Sequence, residues 1–132
     1  MSQPALEEAR AWLERAKADL VAADVDLAAE PVLVEDALFH CQQAVEKSMK
    51  AFLTVRGQTF PKTHDLDVLA AACESLESGL FEALGDVRSL SAFAWVFRYP
   101  GEWESPPVAE GADAMFLAES VYEAISGFLS DV

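Results

Sequence analysis

The sequence predicts an all-α protein, an up-and-down bundle of four to five antiparallel helices. Three observations carry that expectation. Apolar residues recur at intervals of three and four through four long segments. The links between those segments are short and hold most of the proline and glycine. No segment alternates apolar and polar residues with the period of a strand, and no internal repeat or low-complexity tract is found. The length, 132 residues, fits one domain over 1–132, and a hydrophobic content of 52% can fill its core.

The first helix is expected over residues 4–29. Pro4 suits a first helical position, and Leu6, Ala9, Leu13, Ala16, Leu20, Ala23 and Leu27 form its apolar stripe. Its alanines allow a neighbouring helix to pack closely, and Pro31 ends it. The second helix, residues 34–56, has Glu35 and Asp36 in its first turn and Gly57 just past its end. One face carries Leu38, Cys41, Val45, Met49 and Phe52. A second face carries His40, Gln43, Ala44, Lys47, Lys50 and Ala51, a row of polar groups that could contact a ligand. Glu46 and Lys50 have the i,i+4 spacing of a helical ion pair.

A loop over 57–64 leads to a third helix over 65–77, with Thr63 or Asp65 as its cap and Leu66, Leu69, Cys73 and Leu76 inward. Ser78-Gly79 should break it, and 80–84 reads as one short turn of helix. A fourth helix is expected over 87–97, with Val87, Leu90, Ala94 and Phe97 inward and Arg98-Tyr99-Pro100-Gly101 as its stop. The last helix, 109–130, has Ala114, Leu117, Val121, Ile125 and Phe128 on one stripe, widened by Met115, Ala118, Tyr122 and Leu129. That width suggests burial on two sides, within a bundle or against a second copy.

Charge narrows the function classes. The net charge of −14 opposes nucleic-acid binding over long range. It is unevenly spread: residues 37–64 hold Glu46 against Lys47, Lys50, Arg56 and Lys62, a basic island between acidic flanks. The island reads either as an electrostatic seam with an acidic neighbouring helix or as a local anion or nucleotide contact. No apolar run approaches the roughly 18 residues of a membrane span, and the N-terminus lacks the pattern of a signal peptide. A cytoplasmic protein with no membrane contact is expected, with Cys41 and Cys73 as reduced core thiols. The two Cys and two His lack the spacing of a zinc site, so neither a metal nor a cofactor is expected.

Glycine-rich phosphate loops and the hydrolase and metalloprotease motifs are missing. Acid pairs such as Asp24 and Asp26 read as helix-end charges rather than as a general acid and base. His40 could serve as an acid or base, or could hydrogen-bond a neighbouring helix at the edge of the core. His64 reads by default as a contact with Asp65 or a helix end, and Arg98 as a cation at a helix C-terminus. Tyr99 and Trp103 read more readily as packing residues than as stacking platforms.

Phe39-His40-Cys41-Gln42-Gln43-Ala44-Val45-Glu46-Lys47-Ser48-Met49-Lys50-Ala51 resembles the FHxQQAxEKxLKA signature of HEPN domains, the higher eukaryotes and prokaryotes nucleotide-binding domains. Pro61-Lys62-Thr63-His64-Asp65-Leu66 resembles the PKTHDL segment of that family, and Arg98-Tyr99-Pro100 its RYP segment. The resemblance implies a helical bundle, a homodimer and, in prokaryotes, pairing with a minimal nucleotidyltransferase in a toxin–antitoxin-like system. It also implies a metal-independent ribonuclease site of Arg and His four to six residues apart, and here that motif fails. Neither His40 nor His64 follows Arg88 or Arg98.

The expected function is therefore a non-catalytic HEPN module that binds a nucleotide or a partner protein. Its candidate ligand-binding residues are His40, Gln43, Lys47, Lys50, Lys62, His64, Arg98 and Tyr99. One alternative is a ribonuclease that uses His40 with Arg98, and RNA as a partner belongs to that reading. The other is a purely structural dimerisation module.

Overall fold

The structure, a computed structural model, describes residues 2–97, 100–101 and 104–130. Its long helices are α1 (Gln3–Ala28), α2 (Val34–Val55) and α5 (Val108–Ser130). Between α2 and α5 come α3 (Leu66–Leu76), a 3-10 turn (Ser78–Leu80), the single turn α4 (Phe81–Leu84) and a 3-10 helix (Val87–Ala94). No strand occurs among the described residues. No helix among them is long and apolar enough to cross a membrane.

Local chemistry sets the helix ends. Ser2 Oγ accepts the N–H of Ala5 at 3.1 Å and caps α1, with Pro4 in the first turn. The short link to α2 is tied by the Leu33 N–H, which donates to the Asp26 carbonyl at 3.0 Å. At the end of α2, Gly57 adopts a φ of 71°, where a side chain would be strained. Its N–H reaches the Thr54 carbonyl and the Gln58 N–H reaches the Leu53 carbonyl, so two orphan carbonyls of the last turn are satisfied together. Asp65 caps α3 by accepting the Asp67 N–H at 2.9 Å, and Thr63 Oγ1 accepts the Asp65 N–H at 3.0 Å.

α2 is the centre of the bundle. It packs against α1, α3, α5 and the second 3-10 helix. Fifteen of its 22 residues are buried, so it has protein on most sides rather than one wet face. The apolar row Leu38, Cys41, Val45, Met49 and Phe52 is buried as expected. Ala44 and Ala51, which the spacing placed on the polar face, are fully buried as well.

The reason lies in α1, where Ala9, Ala16 and Ala23 are spaced by seven and completely buried. Ala37, Ala44 and Ala51 repeat that spacing on α2, also completely buried. One antiparallel register sets Ala9 opposite Ala51, Ala16 opposite Ala44 and Ala23 opposite Ala37. The contacts of Trp12 with Lys50 and of Asp19 with His40 fit that register. With methyl groups at these facing positions, the two backbones can approach closely and long polar side chains can bridge the edges of the seam.

Two expected elements differ. The segment expected as an α-helix over 87–97 is a 3-10 helix that ends at Ala94, followed by a turn over 95–97. Val87 and Leu90 point inward with the three-residue repeat of a 3-10 helix, and Phe93 packs against the core at the next repeat. Ser89 Oγ donates to the Asp86 carbonyl, and Ser91 Oγ accepts the Leu66 N–H, which ties the segment to the start of α3. Ser78-Gly79, expected only as a break, are themselves part of a turn of 3-10 helix, with Glu77 accepting the Gly79 N–H at 3.3 Å.

On α5 the fully buried row is Gly111, Ala114, Ala118, Val121, Ile125 and Leu129. Leu117 and Phe128, expected on the main stripe, flank it and are half-buried. Phe116 lies outside the row, 78% exposed.

Candidate functional site

The residues of the polar face of α2 are tied into two internal networks, one at each edge of the alanine seam. The first is centred on Asp19 of α1. His40 Nδ1–H donates to Asp19 Oδ1 at 2.8 Å, and Lys47 Nζ donates to Asp19 Oδ2 at 2.6 Å. The Asp19 side chain is 10% exposed, while those of His40 and Lys47 are 24% and 21% exposed. With both oxygens engaged by donors, the Lys47 ammonium among them, this carboxylate is well compensated. The imidazole is fixed in orientation, because an acceptor on Nδ1–H leaves Nε2 pointing away toward Asp36 Oδ2, 3.5 Å distant.

The second network is centred on Glu46. Its Oε1 accepts from His64 Nδ1–H at 2.7 Å and from Gln42 Nε2 at 3.2 Å, and its Oε2 accepts from Lys50 Nζ at 3.1 Å. Gln42 Nε2 also reaches the His64 carbonyl at 3.3 Å, and Gln43 Nε2 donates to Gln42 Oε1 at 2.7 Å. Lys50 is buried, with its ammonium 5.5 Å from the ring centroid of Trp12 and 5.9 Å from that of Phe60. The helix–loop connection that carries His64 is thus latched to α2 by a buried acid, with aromatic faces closing over the lysine.

Of the eight candidate binding residues, His40 and Lys47 therefore meet at Asp19, and Gln43, Lys50 and His64 belong to the network around Glu46. His64 contacts neither Asp65 nor a helix end by its ring, as the sequence suggested; a buried carboxylate 18 residues earlier is the stronger acceptor. Lys62 is exposed and lies apart from both networks. Arg98 and Tyr99, and with them the reading of Arg98 as the end of a fourth helix, lie outside the described residues, as does Trp103. The basic island is a seam with the neighbouring helix at Lys47, which meets Asp19 of α1, whereas Lys50 pairs within α2 with Glu46. Arg56 donates to the Leu76 carbonyl and covers the Phe52 ring.

Sequence reasoning missed Asp19 as the organiser of the first network. The available signal was His40 and Lys47 seven residues apart on one face, opposite an acidic helix. It also passed over a group formed across the α1–α2 link, where ligand atoms of Asp26, Asp36 and His40 all lie within 4.8 Å of one another. Burial raises the Asp26 carboxyl from 3.8 to about 6. Asp36 adds to the rise, because it repels the ionised form and can hydrogen-bond only the protonated one, while His40 opposes it. Burial also pushes both thiols up to about 12, so Cys41 and Cys73 are inert core residues.

The Asp26 shift has a stability consequence. A carboxyl whose pKa is raised on folding contributes stability that is present below about 3.8 and lost as pH rises through about 6. Asp26→Asn removes that loss, and its amide can donate to Asp36. In buffer containing EDTA the variant should be more stable than the parent by about 1–2 kcal/mol at pH 8, and no more stable at pH 3.5. Urea denaturation at the two pH values measures the difference.

Two comparisons with known proteins place the chain. The model of the HEPN domain matches residues 9–128. Among solved structures, the crystal structure of TT1696 from Thermus thermophilus is similar, with a TM-score of 0.68 and 29% identity over 90% of this chain and 96% of that one. A search of curated proteins found no match. With nearly the whole length covered by the family model and the helices in a matching arrangement, the chain belongs to the HEPN domain family.

Proposed function

We propose that this chain is a non-catalytic HEPN module that acts by binding a basic partner protein. The observation that carries this reading is the state of the family signature residues. His40, Lys47, Lys50 and His64 are engaged by Asp19 and Glu46, so they hold the bundle together rather than offer cations to a phosphate. A nucleotide would have to displace a carboxylate from Lys47 or Lys50 to pair with either ammonium.

A different surface offers itself. A groove of about 520 Å³ runs between the second 3-10 helix and α5, with Leu90, Phe93 and Leu117 along it. Glu82, Asp86, Glu110 and Asp113 rim it, and the exposed Phe116 borders it. An apolar floor with an acidic rim complements an amphipathic basic surface. A second copy, also at −14, would set like charges face to face there, so the homodimer implied by the resemblance would use another face. The minimal nucleotidyltransferase of the family's toxin–antitoxin-like pairs is the candidate partner, supported by the resemblance; the charge pattern requires that its docking surface be basic.

The test is co-purification of the tagged full chain from its host, identification of the partner, and titration with the purified partner. Asp113→Lys should weaken binding at least tenfold, and raising the salt concentration should weaken it further. Calorimetric titration with ATP and GTP is the counter-experiment. Saturable nucleotide binding that is lost in Lys47→Ala and unchanged in Asp113→Lys would overturn the reading. Cleavage of RNA in metal-free buffer that is lost in His40→Ala would overturn its non-catalytic part.

A further inference from the structure

We propose that Asp26, Asp36 and His40 form a divalent-cation site at the α1–α2 turn, suited to Zn²⁺ or Mn²⁺. The proposal stands independently of the partner-binding reading. It begins from convergence: each of the three side chains offers one ligand atom, and all three atoms lie within 4.8 Å of one another. Donors bound at about 2.1 Å to one metal ion lie about 3–3.4 Å apart, so the 3.5 Å between His40 Nε2 and Asp36 Oδ2 is already near that spacing.

The backbone holds the group in place. Asp26 sits in the last turn of α1, Asp36 in the first turn of α2 and His40 one turn later. The Asp26 carbonyl accepts the Leu33 N–H at 3.0 Å, which pins the two helix ends to each other.

Two further observations point to a cation. The first is an orphan acceptor. Asp26 is 8% exposed, and its Oδ2 has no hydrogen-bond donor while the carboxyl is ionised, since Asp36 can bond only the protonated form. Such a buried oxygen carries a desolvation penalty that a cation would relieve. The second is the far side of the histidine. Nδ1–H is held by Asp19, whose other oxygen is held by Lys47, so Nε2 faces Asp36, and its lone pair is available to a cation that displaces any proton there. A carboxylate that fixes a histidine tautomer from behind is the outer-shell arrangement of metal-binding imidazoles. With protons displaced by a cation, His40, Asp26 and Asp36 would bring three acceptor atoms together.

The ligand class follows from the donor set. Two carboxylates neutralise a dication. One imidazole nitrogen favours Zn²⁺ or Mn²⁺ over Mg²⁺ or Ca²⁺, which prefer oxygen alone. The Asp36 side chain is 56% exposed, so an ion can enter from solvent and keep water on that side, giving three protein ligands and open positions. The competing arrangement is a metal-free imidazolium bridging Asp19 and Asp36.

The experiment is calorimetric titration of the full chain with Zn²⁺ and with Mn²⁺, after EDTA treatment and removal of the chelator. One saturable site per chain is expected. Asp36→Asn, at an exposed position that leaves the core untouched, should weaken it at least tenfold, and so should Asp26→Asn. Asp19→Asn should weaken it about 10–100-fold through the ring orientation alone. In ¹⁵N spectra of the histidines, Zn²⁺ should move the Nε2 signal of His40 and leave that of His64 in place. Lack of saturation up to millimolar metal would overturn the proposal. So would binding that survives both Asp26→Asn and Asp36→Asn, or a His40 that stays doubly protonated with metal present.

Discussion

Glu46→Ala is expected to destabilise the protein by about 3–5 kcal/mol, because it leaves a buried ammonium without its counter-charge. The Glu46 side chain is 4% exposed and that of Lys50 is 10% exposed, and they meet at 3.1 Å. With the carboxylate gone, Lys50 keeps only the faces of Trp12 and Phe60, which compensate a small part of its desolvation. The loop loses its latch too, since His64 donates to the same carboxylate at 2.7 Å. Glu46→Gln should cost less, about 2 kcal/mol, because it keeps shape and one acceptor while losing the charge.

The paired replacement Glu46→Leu with Lys50→Met removes both charges together and should recover most of the loss. Urea denaturation of the three variants and the parent gives the comparison, and added salt should change the order little, as the pair is shielded from water. A cost below about 1 kcal/mol for Glu46→Ala would show that water reaches Lys50 through the exposed side of His64, and would remove the latch from the account.

The bundle was legible because helical periodicity is local. The stripe Leu38, Cys41, Val45, Met49 and Phe52 needs only the next turn to be recognised, and all five residues are buried. The Glu46–Lys50 pair was legible for the same reason. The 3-10 character of Val87–Ala94 was not, since Val87 and Leu90 begin a three-residue repeat that continues to Phe93 and equally a three-and-four repeat that continues to Ala94. What decides there is the pair of serine hydroxyl contacts, one of which reaches α3.

The networks were half legible. Sequence spacing put His40, Gln43 and Lys47 on one face, yet it could not say whether that face meets solvent or α1. The alanines decided it. A helix with Ala9, Ala16 and Ala23 along one line lies close enough for Asp19 to take both His40 and Lys47. Asp26 and Asp36 each resemble an ordinary helix-end acid in sequence, and only the short link between them folds the two carboxylates toward one imidazole.

Ala44→Leu should cost about 3 kcal/mol, at the upper end of what overpacking imposes. Ala44 is fully shielded from solvent, and the matched seven-residue alanine spacing of the two helices sets Ala16 opposite it. The added carbons have no space between two backbones that approach through methyl groups, so α1 must move outward or turn. Either motion lengthens the 2.8 Å and 2.6 Å bonds of Asp19, because that residue sits less than one turn from Ala16. Loss of packing and loss of the Asp19 network then occur together.

The control is Ala11→Leu, at an exposed position of α1, which should change stability by less than about 0.5 kcal/mol. Helix propensity cannot account for a contrast between the two, since both replace Ala by Leu within a helix. A second variant separates the causes: Asp19→Asn breaks the network and leaves the seam. If Ala44→Leu and Asp19→Asn together cost markedly less than their sum, the wedge acts in part through Asp19 and the seam is what positions the site. Strict additivity would mean that the helices yield elsewhere, and an Ala44→Leu variant as stable as the parent would sink the close-packed seam itself.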